Sequence, residues 1–223
     1  MESPCSLTSL SGTLARYFFY AFLAGAMALC ITWEALNTPS AYLFGEDSLL
    51  EALQVAALFF TMVCAWTAGY RDPSPNPVAT MLVGAAAMAG IREFDFCLDR
   101  YLFDGGWQVL VCLTALLTAV SVYRDRDALL DSLHGFVGKP SFGLMVGGFV
   151  TVFVFSRLFG RQVLWRGIMG DGYMPVVKTA VEEGTELLGY TLIFIGSLEF
   201  LRESRCASVV YNAIDHVRGN GID

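Results

Sequence analysis

The sequence predicts an all-α integral membrane protein, a single domain over residues 1–223 built as a bundle of six transmembrane helices. Of the 223 residues, 55% are hydrophobic and only 16% are charged, whereas a soluble globular chain carries roughly 25% charged residues. Apolar runs of spanning length recur along the chain, and they are continuous rather than alternating as in transmembrane β-strands. The predicted spans cover residues 17–36, 47–69, 78–98, 106–123, 141–159 and 176–200.

Spans 1 and 2 are bounded by polar residues. A Ser/Thr-rich start predicts a loosely ordered tail over residues 1–13. Span 1 contains Gly25 and several alanines, which allow close helix packing, and it ends before the helix-breaking residues 37–40. The start of span 2 carries the acids Glu46, Asp47 and Glu51. A helix N-terminus favours acids, so this placement supports a helix that begins there.

Spans 3 and 4 are separated by a glycine turn. A proline-rich turn over residues 71–77 precedes span 3, which runs into the charged stretch Ile91–Arg100. The Asp-Gly-Gly sequence at residues 104–106 predicts the next turn, and Trp107 opens span 4. Span 3 is therefore the one predicted helix that ends in a dense run of charges.

Residues 124–140 are charged but carry an apolar stripe that suits a short helix on the membrane surface or, alternatively, a loop with a hydrophobic contact. The stripe consists of Leu129, Leu133, Phe136 and Val137. Span 5 contains Gly143-x-x-x-Gly147, which predicts a small-residue packing face. A polar, Gly-rich connection leads to span 6, which carries several glutamates near its start.

Composition excludes some classes of function. The net charge of −7 argues against nucleic acid, which needs a basic footprint. The two histidines, His134 and His216, lie outside the spans, so a histidine-rich metal site in the membrane is excluded. The six cysteines are scattered without a CxxC pair, and we expect no disulfide framework.

Three spans are too short to cross a bilayer without taking charges with them. The hydrocarbon core is roughly 30 Å thick. At 1.5 Å per residue, residues 78–91 cover ~21 Å, residues 142–156 cover ~22 Å and residues 187–198 cover ~18 Å. Each deficit lies toward the face away from the termini, so the spans must take in charged residues there. These are Arg92, Glu93, Asp95, Arg157, Glu182, Glu183 and Glu186.

The polarity of the helices separates these charges into two groups. Acids at the start of spans 2 and 6 and arginines at the end of span 5 complement the helix dipole. Glu93, Asp95 and Asp99 instead lie at the predicted C-terminus of span 3, the end that disfavours acids, and Glu34 lies at the end of span 1. These carboxylates require another partner, such as Arg157, Arg161 or a bound cation.

The charged face supports several chemistries. Glu93, Asp95, Glu182 and Glu186 offer the hard oxygen ligands that a divalent cation such as Ca²⁺, Mg²⁺ or Mn²⁺ takes, although no ligand spacing is diagnostic. Acids within helices also mark proton or cation paths. Recognition of an anion by arginines and a purely structural network of ion pairs remain open alternatives.

Residues 92–99, the region of Glu51 and the Val-Glu-Glu-Gly-Thr-Glu-Leu-Leu-Gly-Tyr sequence at residues 181–190 resemble a group of bacterial multi-span membrane proteins. Those proteins pair an acidic motif in a middle span with a glutamate-rich last span. The resemblance covers spans 2 to 6, implies a bacterial inner-membrane location and implies no activity.

The leading hypothesis is a charged vestibule on the non-cytoplasmic face that binds or moves a cation or small polar solute. The predicted binding residues are Arg92, Glu93, Asp95, Glu182, Glu183 and Glu186, with Glu51, Arg157 and Arg161 as supporting partners. One alternative is a non-catalytic subunit of a larger membrane complex or a homo-oligomer. Another is a membrane-embedded hydrolase or lipid-modifying enzyme, which lacks a recognisable nucleophile–base pair.

Six spans place both termini on one side of the bilayer. By loop assignment, that side carries eight Lys and Arg residues and the opposite side carries six. The positive-inside rule counts these residues, so both termini are predicted to be cytoplasmic.

Overall fold

The computed structural model describes residues 10–38, 48–70, 76–101 and 103–219, with side chains described as far as residue 206 except at residue 96. The predictions for residues 39–40, Glu46, Asp47 and residues 71–75 lie outside these ranges. Within them the secondary structure is helical, with no strand. The all-α prediction is confirmed.

Nine helices follow one another in the described ranges, where α7 combines three consecutive helical segments. They are α1 (Leu10–Asn37), α2 (Leu49–Gly69), α3 (Pro77–Glu93), α4 (Asp95–Tyr101), α5 (Gly106–Arg124), α6 (Arg126–Val137), α7 (Pro140–Phe159), α8 (Gln162–Met169) and α9 (Pro175–Gly219). Residues 10–13, predicted as part of a tail, instead form the first turn of α1.

Five of the described helices are long and apolar enough to cross a membrane: α1, α2, α5, α7 and the Pro175–Cys206 part of α9. These helices indicate a multi-pass membrane protein. The third predicted span is shorter, because α3 has 17 residues and rises only ~26 Å. A bundle of six spans therefore remains a prediction.

The predicted span over residues 78–98 is two helices rather than one. α3 ends at Glu93, Phe94 forms a turn, and α4 begins at Asp95. Asp95 is thus in the first turn of α4, where the helix dipole favours an acid. Asp99 accepts a hydrogen bond from the Gly105 amide at 3.0 Å. The prediction that Asp95 lies at a helix C-terminus was wrong, whereas Glu93 is at the C-terminus of α3 and Asp99 is in the last turn of α4.

Two carboxylates cap helices other than their own. Glu34, near the end of α1, is 2% exposed and accepts a hydrogen bond from the Leu50 amide in the first turn of α2 at 3.2 Å. Glu203, on α9, accepts from the Ser141 amide at 3.3 Å and from the Ser141 hydroxyl at 2.6 Å, at the start of α7. Helix N-termini leave unpaired amides that an anion satisfies, which explains why the acid at the end of α1 is stable.

Helix α9 is the centre of the bundle. It packs against α1, α2, α7 and α8, whereas α3 packs between α2 and α5. In its most apolar window 61% of the residues are buried, compared with 6% in α5 and none in α1. The helices therefore follow the order α5, α3, α2, α9 and α7, with α1 lying over α2 and α9.

The close approach of α7 to α9 depends on a glycine one residue away from the predicted motif. Gly143 and Gly147 have no neighbouring atom within 4 Å of a Cβ position. A Cβ on Gly148 would lie 2.7 Å from the carbonyl oxygen of Gly189, and one on Gly189 would lie 2.4 Å from Val152 Cγ2. The prediction of a packing face formed by Gly143 and Gly147 was therefore wrong, because Gly148 is the glycine that faces α9.

Helix α6 confirms the helical interpretation of residues 124–140. Its Phe136 is buried and contacts Phe142 and Phe200 in edge-to-face geometry, with ring centroids 5.3 Å and 5.4 Å apart. Leu133 packs against the same core, but Val137 is exposed. Helix α6 thus covers the end of the bundle between α3 and α7, and its position on a membrane surface stays a prediction.

Among the cysteines whose side chains are described, Cys30, Cys64, Cys97 and Cys112 are free thiols. Cys206 is disulfide-bonded. The expectation that no disulfide framework exists therefore has one exception, near the end of the α9 span.

The α7–α9 contact predicts different effects for neighbouring glycines. We expect Gly148→Ala to destabilise the protein by about 1–3 kcal/mol, because the added methyl group must displace the α9 backbone. Gly147→Ala faces open space and is expected to be neutral or to stabilise by up to about 1 kcal/mol, as alanine favours helix. Urea unfolding in mild detergent micelles compares the two. Equal stabilities for both variants would contradict this packing.

Candidate functional site

Glu186 lies at the centre of a buried group of charges. It is 2% exposed and lies on α9. Its Oε2 accepts a hydrogen bond from Arg92 Nη2 of α3 at 3.2 Å. Its Oε1 accepts from the Ser156 hydroxyl at 2.7 Å and from Arg157 Nη2, both on α7. One carboxylate therefore joins three helices, which matches the sequence-based expectation that these charges enter the bundle.

The backbone of α7 changes its winding just before this contact. Residues Thr151–Ser156 form a π-helix, and the α-helix resumes at Arg157. A π-helix accommodates an extra residue, and such segments occur frequently at functional sites. Here the segment ends at Ser156, so both α7 donors to Glu186 lie directly at the transition.

Glu93 and Tyr190 extend the group toward α3. Arg92 Nη2 also donates to Glu93 Oε1 at 3.1 Å, and the Tyr190 hydroxyl donates to the same oxygen at 2.8 Å. Arg92 and Glu93 are adjacent at the last turn of α3, while Tyr190 is one turn after Glu186 on α9. The carboxylate of Glu93, which lies at the helix end that disfavours acids, therefore has both a guanidinium and a phenol as partners.

Glu183 has a different environment. Gln54 of α2, which is 0% exposed, donates from Nε2 to Glu183 Oε2 at 3.1 Å and to the Glu183 carbonyl oxygen at 3.2 Å. Within the described part of the chain, Glu183 has no Lys or Arg partner. The Oε1 atom of Gln54 is buried and accepts no hydrogen bond from any described residue.

Glu182 forms its own pair at the edge of the group. Lys178 Nζ, one turn earlier on α9, lies 2.8 Å from Glu182 Oε2. The Glu182 carboxylate also packs on Gly160, where a Cβ would lie 2.2 Å from Oε1. Glu182 thus contacts the corner that follows α7 and remains separate from the ion pairs of Glu186.

Seven of the charged residues at this end of the bundle form the charged cluster. They are Arg92, Glu93, Arg157, Lys178, Glu182, Glu183 and Glu186. Three of them are basic and four are acidic.

Three predicted residues lie outside the charged cluster. Asp95 is exposed at the start of α4, and Arg161 is exposed just before α8. Glu51 lies one turn before Gln54 on α2 and lines a surface depression with Ser48 and Phe94. The structure therefore does not bring Asp95 or Arg161 to Glu186.

The four carboxylates predicted as divalent-metal ligands do not converge. Glu93 and Glu186 share Arg92, Glu182 pairs with Lys178, and Asp95 lies on a separate helix. Among the residues whose placement is described, no group of three or more His, Cys, Asp and Glu side chains is arranged to hold a metal ion. A divalent site at these four positions has no geometric support.

Sequence reasoning missed Gln54 and Ser156, which are neutral residues within apolar runs. It also missed a further buried carboxylate. Glu199, 0% exposed, lies 13 residues after Glu186 on α9 and pairs with Arg16 at 2.7 Å and with Arg202 at 2.8 Å. The available signal was the presence of polar residues inside segments that are otherwise apolar.

No protein-family model, curated protein or solved structure matches this chain. Its function must therefore be argued from its own residues.

The two glutamates four residues apart on α9 predict different stabilities when neutralised. Glu186→Gln leaves two guanidinium groups without their shared anion. Breaking a fully buried pair costs roughly 3–5 kcal/mol, and because the Arg92 and Arg157 side chains are 34% and 45% exposed, we expect a loss of about 2–3 kcal/mol. Glu182→Gln removes one partly exposed pair, which is worth about 1 kcal/mol or less. Denaturant unfolding of both variants in the same detergent measures the difference. A loss for Glu186→Gln no larger than that for Glu182→Gln would show that Glu186 does not hold the bundle together.

Proposed function

We propose that this chain is a multi-pass membrane protein that binds a monovalent cation, an alkali ion or a proton, at Glu183 and Gln54. The observation that carries the proposal concerns one pair of side chains: among the described residues, Glu183 has no basic partner and the buried Oε1 of Gln54 has no hydrogen-bond donor. The remaining charges of the cluster are paired with one another.

The charge balance supports a cation rather than an anion. Three basic residues of the charged cluster face four acidic ones. Arg92, Arg157 and Lys178 each contact an acid other than Glu183, so the surplus negative charge lies at Glu183. An anion in a low-dielectric environment costs free energy unless it is paired, and one monovalent cation neutralises this surplus.

The Gln54 amide supplies a second oxygen ligand. Leaving a buried acceptor unsatisfied costs about 1–3 kcal/mol. Its Oε1 is on the same amide group as the Nε2 that holds Glu183, so both groups lie close to one point. Carboxylate and amide oxygens are ligands for hard cations. With a proton instead, Glu183 gains an O–H group that donates to an acceptor of this kind.

Glu51 is the acid nearest to this position along α2. It lies at i−3 from Gln54, which places both residues on one face of α2. It also lines the depression at the start of α2, which has a volume of about 370 Å³. We propose that a cation reaches Gln54 and Glu183 from this depression.

The sequence-based hypothesis allowed either a cation or a small polar solute as the ligand. Of these, the geometry favours a monovalent cation. A neutral polar solute gives no account of the surplus negative charge. The roles of assembly subunit and of membrane-embedded hydrolase or lipid-modifying enzyme have no specific supporting observation among the described residues, and we do not propose them.

Location and orientation belong to the proposal as well. The resemblance to bacterial multi-span proteins supports the bacterial inner membrane. The count of Lys and Arg residues favours cytoplasmic termini. The disulfide of Cys206, on the terminal side, is typical of an oxidising compartment and favours the opposite orientation. Because the two indicators disagree, we propose cation binding without a direction of movement.

Thermal unfolding of the full chain in detergent micelles tests the alkali-ion form. Sodium or potassium chloride is compared with choline chloride at equal ionic strength. A bound ion stabilises the folded state by about 2.7 kcal/mol at 100 times its Kd, so we expect a higher Tm in at least one alkali salt. Glu183→Gln and Gln54→Leu should lose this increment. Glu182→Gln, which changes an acid already paired with Lys178, should retain it.

The proton form is tested with the same proteins across pH. An unpaired Glu183 anion destabilises the wild type relative to Glu183→Gln, and protonation removes this difference. We therefore expect the stability gap between the two proteins to narrow as the pH falls. If no alkali ion raises the Tm beyond choline and the gap is independent of pH, the proposed function is wrong.

A further inference from the structure

A cavity of about 290 Å³ lies beside the charged cluster and is lined by side chains from α2, α3, α5, α7 and α9. In the described part of the chain, the backbones of α3 and α5 make no contact with those of α7 and α9. Helix α2 packs against both α3 and α9 and closes one side. The opposite side, between α5 and α7, lacks such a contact.

The cavity is long and apolar, with a polar end. Along α3 its wall extends from Leu82 to Arg92, which is ~15 Å at 1.5 Å per residue. Most of the wall is aliphatic or aromatic, including Ala89 and Phe153. Among the described residues of the wall, Arg92 is the one that is charged, and the Tyr190 phenol lies at the same end. This distribution suits a chain-shaped apolar ligand that carries a polar group at one end.

The guanidinium of Arg92 retains hydrogen-bond donors for such a group. Both of its contacts, to Glu93 and Glu186, use Nη2. The Nε and Nη1 groups make no hydrogen bond with the described residues, and a guanidinium carries five N–H donors in total. The ligand's polar end must therefore accept hydrogen bonds. An ester carbonyl or an un-ionised carboxyl group does so without adding negative charge to the cluster.

We propose that this cavity binds a single lipid acyl chain whose head carries an oxygen acceptor, with the chain along α3 and the acceptor at Arg92. The chain enters through the gap between α5 and α7. The source of the acceptor is a free fatty acid or the ester of a bilayer phospholipid, and the experiment distinguishes them.

Quenching of Trp107, which lines the cavity, tests this binding. The full-length protein in detergent is titrated with dibrominated stearic acid, and separately with dibrominated phosphatidylcholine. The relevant signal is the quenching that disappears in Trp107→Phe. We expect it to saturate at one ligand per chain for the source that binds. Quenching by both compounds that rises without saturation would overturn the proposal.

Matched variants separate cavity binding from lipid at the protein surface. Ala89→Phe fills the cavity and should abolish saturable quenching, while Leu117→Phe, on the exposed face of α5, should leave it unchanged. Equal quenching in Ala89→Phe and wild type would also overturn the proposal. Ala89→Phe is expected to retain the alkali-ion or pH response of Glu183, so failure of lipid binding and failure of cation binding are distinguishable.

The role of Arg92 is tested with a brominated alkane that lacks a head group. Arg92→Lys keeps a cation beside Glu93 and Glu186 but removes the Nε and Nη1 donors. It should weaken binding of the brominated ligand with an oxygen acceptor at least tenfold and should leave binding of the alkane unchanged. If both ligands lose affinity equally, the loss reflects the shape of the cavity, and the assignment of the acceptor to Arg92 is wrong.

Discussion

The paired arginines on Glu186 are the interaction on which the rest of the bundle depends. Arg92 reaches it from α3 and Arg157 reaches it from α7, although the backbones of those two helices do not contact each other. A buried carboxylate requires such partners because desolvation of an isolated anion is costly. The long arginine side chains therefore connect two halves of the bundle at one end, while the cavity between those halves stays open.

The opposite end of the bundle is closed by different chemistry. There Phe136 of α6 packs against Phe142 of α7 and Phe200 of α9, and the core continues to Val78 and Leu82 at the start of α3. One end is thus held by ion pairs and the other by aromatic rings. Helix α9 takes part in both, which explains why it is the most buried of the membrane-length helices.

The sequence was sufficient to identify most residues of the charged cluster, but it did not predict how they are arranged. The short apolar length of three spans was sufficient to predict that Glu186 lies inside the bundle, because a bilayer sets a minimum helix length. For the arginines the same prediction was less accurate, since Arg92 is only partly buried and the Arg157 side chain is 45% exposed. The turn at Phe94 was not predictable, since no Gly or Pro marks it, and Asp95 was therefore assigned to the wrong helix end. Gln54 was overlooked because the argument from span length considered only charged residues, and Gln54 carries no charge. Gly147 and Gly148 are adjacent, and the sequence alone does not say which of them faces α9.

The π-helix of α7 has a consequence for the length of the chain in that segment. One residue advances an α-helix by ~100°, whereas a π-helix absorbs one extra residue within its wider turn. Loss of a single residue between Thr151 and Phe155 therefore restores regular winding and leaves Ser156 and Arg157 directed toward Glu186. Loss of a residue in the α-helical first half of α7, by contrast, turns everything after it by ~100° relative to the start of that helix. Chains that share these charges but are one residue shorter in the π-helical segment would keep both the composition of the cluster and its connectivity.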